Sequence, residues 1–183
     1  MRRYLGFLIA LAGIALASPP VVAASSVPEG YRRIAAAHKI PSELFYAVAL
    51  AESGRHIEQL RTTRPWPWTL NIHGEGRYFP SREEAVVAAK EALAKGRSSV
   101  DIGLMQVNER VWRGIYDTQR LRWDIHYNAS AGCEIVDLYL QKYALRKYGP
   151  EILKKTDVLA QLVYAMYNGG PSQFDKFLKR SQT

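Results

Sequence analysis

The chain has 183 residues, 48% of them hydrophobic and 23% charged, a usage that excludes a disordered segment and suits one domain with its own core. Its formal charge of +8 favours an acidic partner. The only cysteine is Cys133, which excludes an intrachain disulfide framework.

Residues 1–24 are laid out as a secretory signal peptide: Arg2 and Arg3, an apolar stretch from Leu5 to Ala17, then small residues. That stretch is shorter than the ~20 residues a membrane span needs, and Pro19-Pro20 interrupts any extension. Cleavage after Ala24 fits a small-x-small rule, Ala15-Leu16-Ala17 offers a second site, and an uncleaved anchor stays open. Losing Arg2 and Arg3 lowers the charge from +8 to +6, so the expected mature domain, 25–183, stays basic. Export into a bacterial periplasm is the expectation.

The mature part reads as mainly α. A short helix is expected over "EGYRRIAAAHK" and a second over Ser42 to Glu52, with Pro41 suited to its first turn. "RTTRPWP" reads as a polar, proline-broken loop. "WTLNIHGEGRYF" has two strand-like runs around glycines and predicts one short β-hairpin. "SREEAVVAAKEALAKG" is a helix with a Ser81/Glu84 capping box and Gly96 at its C-terminal stop. "DIGLMQVNERVW" begins as a loop and enters a short helix. "NASAGCEIVDLYLQKYALRKYG" has the apolar spacing of a long helix ending at Gly149-Pro150. Asp157 is placed to cap "VLAQLVYAMYNGG", and a last amphipathic helix is expected near Ser172 to Lys179.

Glu52 stands out within this order, because it closes eight consecutive apolar residues, Leu44 to Ala51. On a helix it shares a face with Val48 and Ala49, and one turn back with Leu44 and Phe45. Apolar surroundings and the negative end of the helix dipole both raise a carboxyl pKa. A carboxylic acid kept neutral near pH 7 is what a general acid needs. Two readings are open on the local sequence: a proton donor, or a surface glutamate at a frayed helix end paired with Arg55.

Two further segments carry polar chemistry. In "DIGLMQVN", Gly103 lets backbone approach a ligand, Met105 is a flexible apolar filler, and Gln106 and Asn108 offer paired donors and acceptors. That mixture suits a sugar, which has hydroxyl edges and apolar faces. In "YAMYNGG", Tyr167 and Asn168 sit at a helix end before two glycines that clear space.

The ordered set "ALAESG", "GLMQVN" and "YNGG" resembles the lytic transglycosylase domain of the goose-type lysozyme superfamily. "WDIHYNASAGCEIVDLYL", with Asn128 and Gly132, is similar to that family's stretch between the second and third motifs. The resemblance spans roughly Ile34 to Phe177 and implies a lysozyme-like α+β fold, a helical core with one short hairpin insert. It implies that Glu52 is the catalytic acid/base and Ser53 its usual neighbour. It implies that Gly103, Leu104, Met105 and Gln106 line the glycan cleft, and that Tyr167, beside Asn168, sits near the acid. The chain departs from many members in having Met166 before Tyr-Asn and Val100-Asp101-Ile102 before Gly-Leu-Met-Gln. The Asp-Ile form looks like a subset associated with secretion, conjugation or pilus machines. The insert from Trp66 to Gly96 is longer than in the simplest members.

The resemblance implies one carboxyl used twice, on the bond between N-acetylmuramic acid and N-acetylglucosamine of peptidoglycan strands, ending in a 1,6-anhydro sugar. Among candidates for a second carboxylate, Glu58, Glu75 and Asp101, none has an apolar context like that of Glu52, and Asp101 reads as a structural acceptor. Trp66 and Trp68 read as sugar platforms at the cleft, Trp112 and Trp123 as core. A hydrolytic muramidase on the same fold and a non-catalytic glycan-binding assembly module are the alternatives. A nucleic-acid partner is not expected, because the basic residues are scattered and match no readout motif. No cofactor is expected, and no metal: His38, His56, His73 and His126 lack ligand spacing. A monomer is expected.

Overall fold

The computed structural model describes residues 27–96 and 99–180; the expected signal peptide lies outside the described residues. The domain is mainly α with a small antiparallel β insert. Helix α1 covers Glu29–Ala37 and α2 covers Ser42–Ser53. Pro41 stands one residue earlier than expected, as the extended residue that caps α2. Helix α2 buries Leu44, Phe45, Val48, Ala49 and Ser53, a one-sided stripe that continues to the acid's own turn.

The β insert is wider than a single hairpin. Strand β1 (Gly54–Ile57) leaves α2 directly and pairs with β2 (Thr62–Pro65), Gly54 opposite Pro65. "RTTRPWP" is therefore partly a strand and not a loop. Pro65 is tolerated because it ends a strand that has one neighbour only. Strands β3 (Thr69–Ile72) and β4 (Glu75–Tyr78) form the expected hairpin. Its turn holds His73 and Gly74 at positive φ, and Asn71 Oδ1 accepts from Gly74 N at 2.8 Å. Beyond it the sheet continues through β5 (Val100–Ile102) and β6 (Val107–Asn108), in the order β4-β3-β5-β6.

Helix α3 (Arg82–Ala94) has the expected cap, with Ser81 Oγ accepting from Glu84 N at 3.3 Å, and Gly96 beyond its end has φ +74°. Short α4 (Glu109–Trp112) and α5 (Thr118–Trp123) lead to α6 (Ile125–Tyr139). The long helix expected here is one path with a wide π turn, Leu140–Leu145, followed by α7 (Arg146–Tyr148), and it stops at Gly149, φ +71°. A 3-10 turn, Pro150–Lys154, precedes α8 (Thr156–Arg180), which breaks at Gly170, φ +66°. Asp157 lies inside the first turn of α8 and does not precede it. The core runs between these layers, with Phe45, Met105, Val136, Val163 and Met166 fully enclosed.

Candidate active site

The turn between β5 and β6, residues 103–106, is where the separate sequence motifs meet. Asn128 on α6 donates from Nδ2 to Ile102 O at 2.8 Å and accepts from Met105 N at 3.0 Å. Ser53, next to Glu52, donates to Leu104 O at 2.7 Å. Tyr167 on α8 donates to Met105 O at 2.6 Å. Gly103 N donates to Thr69 O on β3 at 2.8 Å. A buried turn must find partners for its backbone groups, and here side chains from α2, α6 and α8 supply them. The acid's helix, the turn and the tyrosine are thereby held in one register.

Two glycines make this closeness possible. Gly103 has φ +79°, and a Cβ there would stand 2.6 Å from Asn128 Nδ2. A Cβ on Gly132 would stand 2.2 Å from Met105 Cγ, whose side chain is fully buried.

These contacts relocate part of the expected substrate site. Ser53, Gly103, Leu104 and Met105 are buried and do not line the cleft; they hold its wall from behind. The cleft, about 410 Å³, is lined by Glu52, Gln106, Asn108, Tyr167 and Asn168, as expected, together with Asp101, Trp112, Ile135 and Tyr139. Gln106 is left-handed, φ +44°, a costly conformation for a non-glycine residue beside a functional cleft. Its Nε2 donates to Thr69 O at 3.1 Å and Gly103 O at 2.9 Å, which commits both amide hydrogens and leaves the amide oxygen for a ligand. Asn108 is committed on both sides: Nδ2 donates to Asp101 Oδ1 at 2.6 Å, and Oδ1 caps α4 through Val111 N at 3.0 Å.

Glu52 is half-buried, and its Oε1 is enclosed with no hydrogen-bond partner. Burial pushes its carboxyl up from 4.5 to about 7, and the Asp101 carboxylate adds to the push. The Arg55 alternative does not hold: Arg55 stacks over Trp66, 4.6 Å from the ring centre, and reaches toward Tyr78 at 5.9 Å. Tyr167 is pushed well above its ordinary value, by burial first and then by Glu52. Its ring meets Tyr139 edge-on, centroids 6.4 Å apart. Tyr164, one turn earlier on α8, is also raised, by burial and then by Glu52.

Asp101 meets its sequence expectation and goes beyond it. It is an acceptor for Asn108, yet it also lines the cleft and acts on Glu52 electrostatically. Burial raises its own pKa, against the lowering effect of the Asn108 hydrogen bond. Glu58 and Glu75 lie elsewhere, near His56 at 3.6 Å and Arg77 at 2.9 Å respectively. The tryptophans follow the expectation only in part. Trp112 packs on the core as expected and also lines the cleft, whereas Trp66 and Trp68 do not line it, and Trp123 is 49% exposed and not a core residue.

Trp112, Ile135 and Tyr139 escaped the sequence reading as cleft residues. The last two were findable: Asn128, Gly132, Ile135 and Tyr139 fall at steps of four, three and four along α6, so one helical face carries both the wall's support and its surface. Among the described residues no group of three or more His, Cys, Asp or Glu side chains is placed to hold a metal ion. None of the helices among the described residues is long and apolar enough to cross a membrane. Compared with known proteins, the chain matches no family model, no curated protein and no solved structure.

Proposed function

We propose that the chain is a peptidoglycan lytic transglycosylase of the goose-type lysozyme superfamily, with Glu52 as its single acid/base. One observation carries the reading: a carboxyl whose buried oxygen has no partner, raised to about 7, opens into a cleft. A buried unpaired carboxyl is costly as structure. Near neutral pH such a carboxyl can both hold a proton and give it up.

In the proposed step Glu52 donates its proton to the glycosidic oxygen between N-acetylmuramic acid and N-acetylglucosamine. The C1–O bond breaks and its electron pair leaves with that oxygen. Glu52, now a carboxylate, takes the proton of the muramic C6 hydroxyl while O6 bonds to C1. The product is a 1,6-anhydro sugar, no water is consumed, and Glu52 ends protonated as it began. Asp101 keeps the starting proton on Glu52 and offers negative charge to an oxocarbenium-like centre. The amide oxygen of Gln106 is suited to accept from a sugar hydroxyl.

Hydrolysis by water is a second reading, favoured by Asp101, because a second carboxylate in one cleft is what most glycosidases use. Mass spectrometry of digested sacculi separates the two. Fragments lighter by one water and lacking a reducing end support the transglycosylase; reducing ends support the muramidase. Unchanged solubilisation by Glu52→Gln would sink both as readings built on Glu52, and a wild type that solubilises nothing would leave the glycan-binding assembly module. Work for a secretion, conjugation or pilus apparatus in the periplasm completes the proposal, on the strength of the Asp-Ile-Gly-Leu-Met-Gln form and the leader-like N-terminus.

A further inference from the structure

Three tryptophans lie outside the cleft lining, and of these Trp66 is taken up by Arg55 over its ring and by its bond to Phe79 O. Trp68, just before β3, and Trp123, at the end of α5, line a second concavity of about 560 Å³ that shares no lining residue with the first. It lies where the start of α3, the end of α5 and the start of α6 meet Trp68. Trp123 is 49% exposed and Ile125 beside it 38%, so neither is spent on the core. Arg82, Glu83 and His126 stand around the two indoles, and the Arg82–Glu83 pair, at 2.9 Å, is itself open to solvent.

We propose that this concavity is a second saccharide-binding site, one that stacks a β-1,4-linked N-acetylhexosamine strand on Trp68 and Trp123. The proposal rests on reading the cleft as a peptidoglycan site. An indole offers a broad flat apolar face, which matches the CH face of a pyranose ring. Charged side chains at the rim match the hydroxyl and amide edges of the same ring. The depression is shallow and open to solvent, which suits a polymer laid along a surface and not a small molecule enclosed in a pocket. A stable protein partner would instead cover about 800 Å² on each side, with an apolar centre, and here the large exposed apolar groups are Trp123 and Ile125 alone.

Position adds a reason. Trp68 is joined to Thr69, the residue whose carbonyl binds both Gly103 N and Gln106 Nε2 in the cleft wall. The same strand therefore fixes one platform and the wall of the cleft. A repeating polymer held at the second site raises the effective concentration of its other repeats at the first.

The test uses the full mature chain carrying Glu52→Gln, titrated with chitotetraose while the indole N–H signals of the four tryptophans are followed by NMR. The expected result is saturable movement of the Trp68 and Trp123 signals, alongside that of Trp112 in the cleft. Adding Trp123→Ala weakens the Trp68 titration by about fivefold, leaves the Trp112 response, and Trp123→Phe restores most of the loss. Static Trp68 and Trp123 signals at saccharide concentrations that saturate Trp112 overturn the proposal. So does a response to free stem peptide in place of the saccharide. Binding at Trp68 and Trp123 by a chain whose wild type fails to cleave sacculi overturns the cleft reading and supports the second site.

Discussion

Two carboxylates, Glu52 at the end of α2 and Glu109 at the start of α4, are both withdrawn from water, and their surroundings treat them in opposite ways. Glu109 is 4% exposed, and both its oxygens lie 2.7 Å from Arg122 Nη2, with Arg113 at 3.8 Å. Glu52 keeps a buried oxygen with no partner at all. A paired buried charge ties α4 to α5 and does no chemistry. An unpaired one is retained at a cost and is therefore where chemistry is expected.

The sharpest way to break this comparison is to neutralise each side in turn. Glu52→Gln should lower the rate of sacculus cleavage by about 10³-fold, within the range a positioned general acid supplies, with the fold intact by circular dichroism. A loss below about tenfold would remove Glu52 from the chemistry. Glu109→Ala should do the reverse. It leaves Arg122 buried and unpaired, which costs about 3–5 kcal/mol in denaturant unfolding. Its activity, measured well below its midpoint, should fall far less than that of Glu52→Gln. Replacing the pair together by Leu and Met should recover most of that stability, since apolar substitutes for buried ion pairs are often neutral or better.

The comparison has a pH dependence with a definite sign. The Glu52 carboxyl stands at about 7 in the folded chain against 4.5 for an ordinary glutamate. Between those values the folded state binds more protons than the unfolded state, so stability falls as pH rises. The contribution is present in full below about 4.5 and lost as pH passes through about 7. The loss is on the order of 3 kcal/mol. Unfolding midpoints measured from pH 4 to 8 should show this slope in the wild type and not in Glu52→Gln. An identical slope in both would assign it to another group.

Cleavage should follow the same proton, with activity declining on the alkaline side of about pH 7. Asp101→Asn removes the like charge that raises Glu52, so the alkaline limb should move to lower pH. Asn at 101 can still bond Asn108, which keeps the 2.6 Å link to the cap of α4 in kind. An unmoved limb would mean that burial alone sets the Glu52 proton.

Which of these groups the sequence discloses follows from how local each signal is. Glu52 was legible because its context, Leu44 to Ala51, is contiguous and helical. Asp101 reads only as structural in the sequence, because its further role comes from its place across the cleft, and no neighbour in sequence reports that. A period-two signal was nevertheless present: Val100 and Ile102 are buried, and Asp101 between them points to the other face of β5. The pairing of β1 with β2 was hidden behind Pro65 and the arginines, which look like a loop when the partner strand is unknown. The Ser81 cap of α3 and the glycine stop before Pro150 needed only near neighbours and are where they were expected, although the Glu84 carboxylate takes the Ser81 hydroxyl and not its backbone N–H. The π turn at 140–145 has no local cue of that kind. It follows Tyr139, whose ring packs on Tyr143 and Tyr167, so the turn sits in a tertiary ring cluster that no short stretch of sequence reports.

The smallest expected effect probes how Glu52 is held. Tyr167 donates to Met105 O at 2.6 Å, one residue along from the carbonyl that Ser53 takes. Tyr167→Phe keeps the ring against Tyr139 and deletes only the hydroxyl. The stability cost should be about 1 kcal/mol, that of one buried hydrogen bond. If the hydroxyl only braces the turn, the pH at which activity declines stays fixed and the rate falls uniformly across pH. If it also acts on the proton of Glu52, which lies within its electrostatic reach, the alkaline limb itself moves. A shift of the limb in Tyr167→Phe as large as that in Asp101→Asn would make the tyrosine, and not the second carboxylate, the main electrostatic partner of the acid.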